Sequence, residues 1–185
     1  MSFEPVYNEH SRALILGTWP SPKSREMAFY YGHPQNRFWP VLAALTGEPV
    51  PAREDIEAKK QIILRHGLAL WDTLERCTIT GAADASIKDA VPNDIAALLA
   101  KAPIEAVFCN GATAYRIYTK YLQPVSGIAA VKLPSTSRQT LPAARKSCAK
   151  SGARPSCRGS TNDGQVVNYP VKALRFSRGA VLWVT

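Results

Sequence analysis

The stretch ALILGTWPSPKS, residues 13–24, decides how the rest of the chain is read. ALILG (13–17) is a short unbroken apolar run that stops at glycine, as expected of a strand buried on both faces. The loop GTWPSPKS then carries two prolines and three small hydroxyl residues, so the chain turns out of the strand. Working outward, NRFWPVLAALTGE (36–48) reads as a helix stopped at Gly47. EDIEAKKQIILRHG (54–67) reads as a second helix, with apolar positions at Ile56, Ile62 and Ile63 and a stop at Gly67. GLALWDTL (67–74) reads as strand two and ERCTITGAADASIKDAVP (75–92) as a loop. NDIAALLAKAP (93–103) is a third helix with Asn93 as its N-cap. IEAVFCNG (104–111) is strand three, and GATAYRIYTKYL (111–122) is helix four, with Asn110 and Gly111 as the turn between them. After a turn at PVSG, IAAVKLPSTS (128–137) is strand four running into a second Pro/Ser loop.

Strands alternating with helices, each connection long enough for a crossover, predict an α/β fold: a three-layer α/β/α sandwich around a central four-stranded parallel sheet. In such sheets ligands bind outside the carboxyl ends of the strands. GTWPSPKS, WDTLERC and LPSTS all fall at those ends, so polar loop chemistry converges on one edge.

The chain of 185 residues is long enough for one well-cored domain, and its net charge is +9. That charge is unevenly spread. Residues 1–137 hold 14 Lys+Arg against 13 Asp+Glu, whereas residues 138–185 hold 9 basic residues against Asp163 alone. The basicity therefore says little about the globular part. No apolar run approaches a membrane span. The N-terminus lacks a basic region followed by an apolar one, and the four cysteines stand singly at 77, 109, 148 and 157. These features predict a cytoplasmic protein with reduced thiols and neither a zinc site nor a membrane segment.

FYYGHPQNRFWPVL (29–42) crowds five aromatic rings, a histidine, two side-chain amides and an arginine between strand one and the first long helix. Together with GTWPSPKS, WDTLERC and LPSTS, and in this order, it resembles the uracil-DNA glycosylase superfamily, most closely the DNA-deoxyinosine glycosylases. The likeness runs from about Pro5 to Ser137. It implies a monofunctional, monomeric glycosylase at the nucleoid that takes DNA containing deaminated bases. Such an enzyme flips out a base, hydrolyses its N-glycosidic bond and releases hypoxanthine. A metal, a nucleotide cofactor and a Schiff-base lysine are all unnecessary for that chemistry, so no cofactor is expected. The same fold acting on uracil or mismatched bases is an alternative. So is a catalytically degenerate protein whose basic tail holds DNA phosphates.

The resemblance also distributes roles, each beside a plainer reading. A flipped base needs an aromatic face and hydrogen-bonding partners for its Watson–Crick edge. Tyr31 matches the stacking aromatic, or is core; Tyr30, Phe38 and Trp39 are core or pocket wall. Many superfamily members position the attacking water with Asp or Asn in the first loop, where this chain has Trp19, a residue left to line the base site. Asn36 is the substitute candidate, or an N-cap, or both. Asp72 stands where relatives place a base-reading Asn, or it caps the next segment. His33 reads as structural. Ser21, Lys23 and Ser24, with Pro134, Ser135, Thr136 and Ser137, are candidates for holding DNA phosphate.

In the family, LPSTS continues as a Pro-Ala-Asn loop and then an amphipathic helix. Here it continues RQTLPAARKSCAKSG, and from residue 139 the chain shows no sustained period. Shifted by one base, the codons of Ser137-Arg138-Gln139-Thr140-Leu141 allow Ser-Pro-Ala-Asn-Ala, and those of Lys146 to Gly152 allow Lys-Leu-Arg-Glu-Glu-Trp. The expected organisation is thus a glycosylase-like domain over 1–137 and a basic tail over 138–185, out of frame through a base lost near codon 138. Resequencing the coding DNA checks this. An intact frame, with the same tail in sister lineages, overturns it.

Overall fold

The computed structural model describes residues 2–79, 87–137, 172–175 and 181–184. Its centre is a four-stranded parallel sheet of β1 (Ala13–Gly17), β2 (Leu68–Asp72), β5 (Ala106–Asn110) and β6 (Ala130–Leu133), in the order β2-β1-β5-β6. All of β1 is buried. Its alternate residues feed two cores, as the period of two requires. Ala13 and Ile15 join Leu68, Leu70 and Phe108 on one face, where Phe38, Trp39 and Leu42 of α2 (Phe38–Thr46) meet Ile62 and Ile63 of α3 (Ile56–Arg65). On the other face Leu14 and Leu16 join Ala69, Val107 and Cys109. There they meet Ile95 and Leu98 of α4 (Ile95–Leu99) and Ala114 of α5 (Ala112–Ile117). Helices therefore cover both faces, and the predicted three-layer sandwich is the observed one.

The helix signals act largely as read. α2 stops where Gly47 takes a left-handed φ of 72° and donates its N–H to Ala43 O. α3 starts at Asp55, whose carboxylate accepts the Ala58 N–H at 2.8 Å. A one-turn helix, α1 (Pro22–Glu26), sits inside the first Pro/Ser loop. α5 runs on through a π-helical turn (Tyr118–Leu122) into α6 (Gln123–Ser126). The outer edge of β2 is not left bare, because Val6 exchanges two backbone hydrogen bonds of 2.9 Å with Leu70.

Two expectations are corrected. ERCTITGAADASIKDAVP is not a loop throughout: β3 (Leu74–Ile79) pairs antiparallel with β4 (Ile87–Pro92), with register shifts between Leu74 and Thr78. Pairing supplies the backbone partners there, and no strict apolar alternation announces it. The cap of α4 is Asp94, which accepts the Ala97 N–H at 3.1 Å, and not Asn93. Asn93 is buried and donates its Nδ2–H to Asp72 O at 2.8 Å. The division at 137/138 falls mostly outside the described residues. Within the tail, β7 (Lys172–Arg175) and β8 (Val181–Val184) form an antiparallel pair.

The corrected cap gives a stability test. Asp94→Ala should cost about 1 kcal/mol, as a lost N-cap does. Asn93→Ala should cost about 1–3 kcal/mol, because it leaves the buried Asp72 carbonyl unpaired. Urea denaturation of the two variants distinguishes them; equal small losses would show that Asn93 is merely another surface cap.

Candidate active site

The four parallel strands end along one edge, where register sets Gly17 beside Asp72 and Asn110 beside Leu133. The chain leaves β1 to form β2 on one side and later returns as β5 on the other, so strand order reverses at Gly17. That reversal is where an open parallel sheet forms a crevice.

Gly17 is needed there for its missing side chain. A Cβ on it would stand 2.3 Å from Asp72 Oδ1 and 3.1 Å from the Tyr31 hydroxyl, so two polar groups converge over a bare Cα. Asp72 is 4% exposed. Its backbone is held by the Asn93 amide, and the next N–H, of Thr73, donates to Gly17 O at 2.9 Å. The side chain is not so held: Oδ2 is buried without a hydrogen-bond partner. Burial penalises the charged form and pushes the Asp72 carboxyl up to about 7.

Tyr31 arrives from the segment after α1 with a left-handed φ of 53°. That conformation is costly for an aromatic residue, and such strain clusters at functional sites. Its ring stacks on Phe38, with centroids 3.9 Å apart and planes 18° from parallel. Its hydroxyl is buried and unpartnered; the Asn110 amide lies near but outside hydrogen-bonding geometry. Burial first, and the Asp72 charge second, raise the phenol well above its ordinary value. The neighbouring rings divide the labour. Tyr30 is buried, donating to Glu4 O at 2.9 Å, and its carbonyl accepts the Trp39 indole N–H at 3.0 Å.

Loops close round this point. Ser24 is buried: its Oγ accepts the Gly32 N–H at 3.2 Å, and its own N–H donates to Ser21 Oγ at 3.1 Å. These hydroxyls fasten the first loop to the Tyr31 segment. Lys23 pairs with Glu26 at 2.6 Å on the exposed side. In the LPSTS loop, Asn110 clasps Thr136 twice, donating Nδ2–H to Oγ1 at 2.9 Å and accepting its N–H at 3.1 Å. Thr136 O accepts the Arg37 N–H at 3.1 Å, and Ser135 Oγ accepts the Ser137 N–H at 3.2 Å. Gly111, at φ 101°, lets the loop lie close, since a Cβ there would stand 3.2 Å from Ser135 Cβ. Pro134 leads the chain from β6 into this clasp.

Of the other sequence candidates, Asn36 is not the N-cap of α2, which is Arg37; it stands one residue earlier, where its Oδ1 accepts the Phe38 N–H at 3.0 Å in a local turn. His33 is tied locally, Nδ1 accepting the Gln35 N–H at 3.1 Å. Trp19 lines a cavity of about 560 Å³ with Arg25, Arg76, Cys77, Thr78, Asp89 and Val91, a lining that includes neither Tyr31 nor Asp72. Sequence reasoning missed Gly17 as a cradle and Asn93 as the brace behind Asp72, and took Asn110 for a turn. It also passed over Arg37, whose Nε is buried without a partner. A glycine ending a buried strand was the one available signal for the cradle.

The chain and its fold match known proteins. The model of the Uracil DNA glycosylase superfamily matches residues 4–155, and the chain belongs to that superfamily. It is 34% identical over 110 residues to the hypoxanthine DNA glycosylase of Methanosarcina barkeri, covering 59% of this chain and 69% of that protein. The hypoxanthine DNA glycosylase of Methanosarcina acetivorans is 33% identical over 112 residues, with the same coverage of 59% and 69%. Among solved structures, the solution NMR structure of a candidate uracil DNA glycosylase from Methanosarcina acetivorans superposes with a TM-score of 0.64 at 31% identity. That likeness covers 74% of this chain and 83% of the other.

The buried carboxyl makes stability depend on pH with a definite sign. The folded chain holds the Asp72 proton more tightly than the unfolded chain between the ordinary value of 3.8 and about 7. Stability is therefore lost as pH rises through that window. Asp72→Asn should remove the loss, gaining up to about 4 kcal/mol over wild type between about pH 4 and about pH 8. Urea denaturation at both pH values measures it, and parallel pH dependence in the two proteins overturns it.

Proposed function

We propose that the protein is a monofunctional DNA glycosylase that flips hypoxanthine out of deoxyinosine-containing DNA and hydrolyses its N-glycosidic bond. The observation that carries this reading is the pair of buried, unpartnered polar groups, the Asp72 carboxyl and the Tyr31 hydroxyl, at the strand switch point beside the Tyr31–Phe38 stack. Polar groups left unpaired in a dry site discriminate strongly for a ligand that pairs them. Membership of the superfamily and two relatives named hypoxanthine DNA glycosylase support the choice of reaction and base. Among the described residues no helix is long and apolar enough to cross a membrane.

The chemistry follows from the edge. Tyr31 offers its ring to the flipped base, its strained backbone holding that ring in place before DNA arrives. Asp72 meets the Watson–Crick edge. The backbone N–H groups of the two Pro/Ser loops, whose shape the serine and threonine hydroxyls fix from within, lie along the DNA backbone. Cleavage develops positive charge on the sugar, and a positioned water completes hydrolysis. Asn36 holds that water: Oδ1 accepts the Phe38 N–H at the start of α2, which fixes the side chain and leaves Nδ2 to face the water. If residues 138–185 are out of frame, restoring the Ser-Pro-Ala-Asn continuation raises activity.

A duplex with one deoxyinosine, scored as alkali-sensitive cleavage, tests the reading. Asn36→Ala should slow release by about 100-fold or more while costing only about 1 kcal/mol of stability for the one lost hydrogen bond to Phe38. Faster release from a uracil duplex overturns the choice of base. Binding that weakens steeply with salt and vanishes on deletion of 138–185, without abasic product, overturns the enzyme in favour of a DNA-binding protein.

A further inference from the structure

Resting on the glycosylase reading, we propose that Asp72 reads the base as a neutral carboxylic acid: its carbonyl oxygen accepts N1–H and its hydroxyl donates to O6 of a 6-oxopurine. Three observations lead there. The backbone of Asp72 is pinned from both sides, its carbonyl by Asn93 Nδ2 at 2.8 Å and its strand by the Gly17 pairing, so the side chain has little freedom to swing into solvent. The carboxyl lies against the bare Cα of Gly17 and is 4% exposed. Finally, it forms neither an ion pair nor a side-chain hydrogen bond among the described residues, and Oδ2 is sealed from water.

A carboxylate so placed carries a desolvation penalty that no ion pair offsets, so the proton is held up to about pH 7 and lost above it. The groups packed round it agree. Tyr30 and Tyr31, from the segment before α2, are both held protonated by burial, and Cys109 of β5, which acts on Tyr31, is pushed up to about 12 by burial. Asn93, which holds the Asp72 carbonyl, and Asn110, which lies beside Tyr31, are neutral amides. No cation of the described residues pairs with Asp72.

The protonation state decides what the side chain can recognise. A neutral carboxyl presents one donor and one acceptor on adjacent oxygens, the same pattern as a side-chain amide. That pattern complements the N1–H and C6=O edge of hypoxanthine once the arriving base displaces the packing that covers Oδ2 in the free protein. A carboxylate presents two acceptors, one of which faces O6, a second acceptor, and repels it. An Asp at this place thus does what an Asn would do, but only while it keeps its proton, which ties base release to pH.

The test is the pH profile of single-turnover hypoxanthine release from about pH 5.5 to about pH 9 for wild type, Asp72→Asn and Asp72→Ala. Wild type should fall about tenfold per pH unit above about 7. Asp72→Asn should lack that limb, so that its rate relative to wild type climbs about tenfold per unit over the same range. Asp72→Ala should be slow throughout. A limb that persists in Asp72→Asn, or a wild-type profile that is flat, overturns the inference and leaves the glycosylase reading intact. Folded wild type that releases no hypoxanthine at any pH overturns both. Independently of activity and of variant folding, the carboxyl carbon of Asp72 followed by NMR should titrate with a midpoint near 7 in the free protein, and a midpoint near the ordinary aspartate value overturns the proposal.

Discussion

The absence of a side chain at Gly17 is the constraint on which the site depends. β1 is the central strand of the switch, with β2 on one flank and β5 on the other, and any Cβ at its end would collide with the Asp72 carboxyl. With hydrogen alone at that position, the carboxyl folds over the strand end and the Tyr31 hydroxyl approaches the same spot from the α1–α2 segment. Parallel register then matters chemically. It sets Asp72 level with Gly17, so a slip of one residue would turn Asp72 to the opposite face.

The aromatic segment 29–39 serves two purposes through one backbone feature. Phe29, Tyr30, Phe38 and Trp39 are buried in the first core, where Lys59 also lies, its Nζ 5.5 Å from the Trp39 ring centroid and donating to Arg53 O. Tyr31 sits between them in sequence yet only partly inside. Its left-handed φ turns it away from the direction its neighbours take and lays its ring on Phe38. Core and site thus share a wall. Rigid packing on one side of Phe38 supports the Tyr31 ring stacked on the other.

The loops at the strand ends are fastened by side chains that a sequence reader assigns to other duties. Ser21 and Ser24 hydrogen-bond within the loop, and Asn110 binds Thr136 of the last loop. Arg37 adds a backbone bond to the same threonine. Hydroxyls engaged in this way fix the shape of both loops at the strand ends.

Much of this was legible from the residues. Short apolar runs ending in Gly, Asp and Asn mark the parallel strands, and Gly47 and Gly67 mark the ends of the first two long helices, because these are local demands on backbone and burial. The positions of Asp72 and the LPSTS loop at strand ends follow from the same pattern, whereas Tyr31 was picked out only by the family resemblance. The β3–β4 ribbon was not legible, since its partners lie across residues 80–86 and its alternation is broken. Nor was the exchange of duties between Asn93 and Asp94, where either side chain suits a cap and only packing against Asp72 selects. Sequence alone determined which residues reach the carboxyl edge of the sheet. The tertiary structure alone decided that Asp72 and Tyr31 meet there, dry and unpaired over a glycine, because burial and the absence of a partner are properties of the assembled layers and not of any one strand.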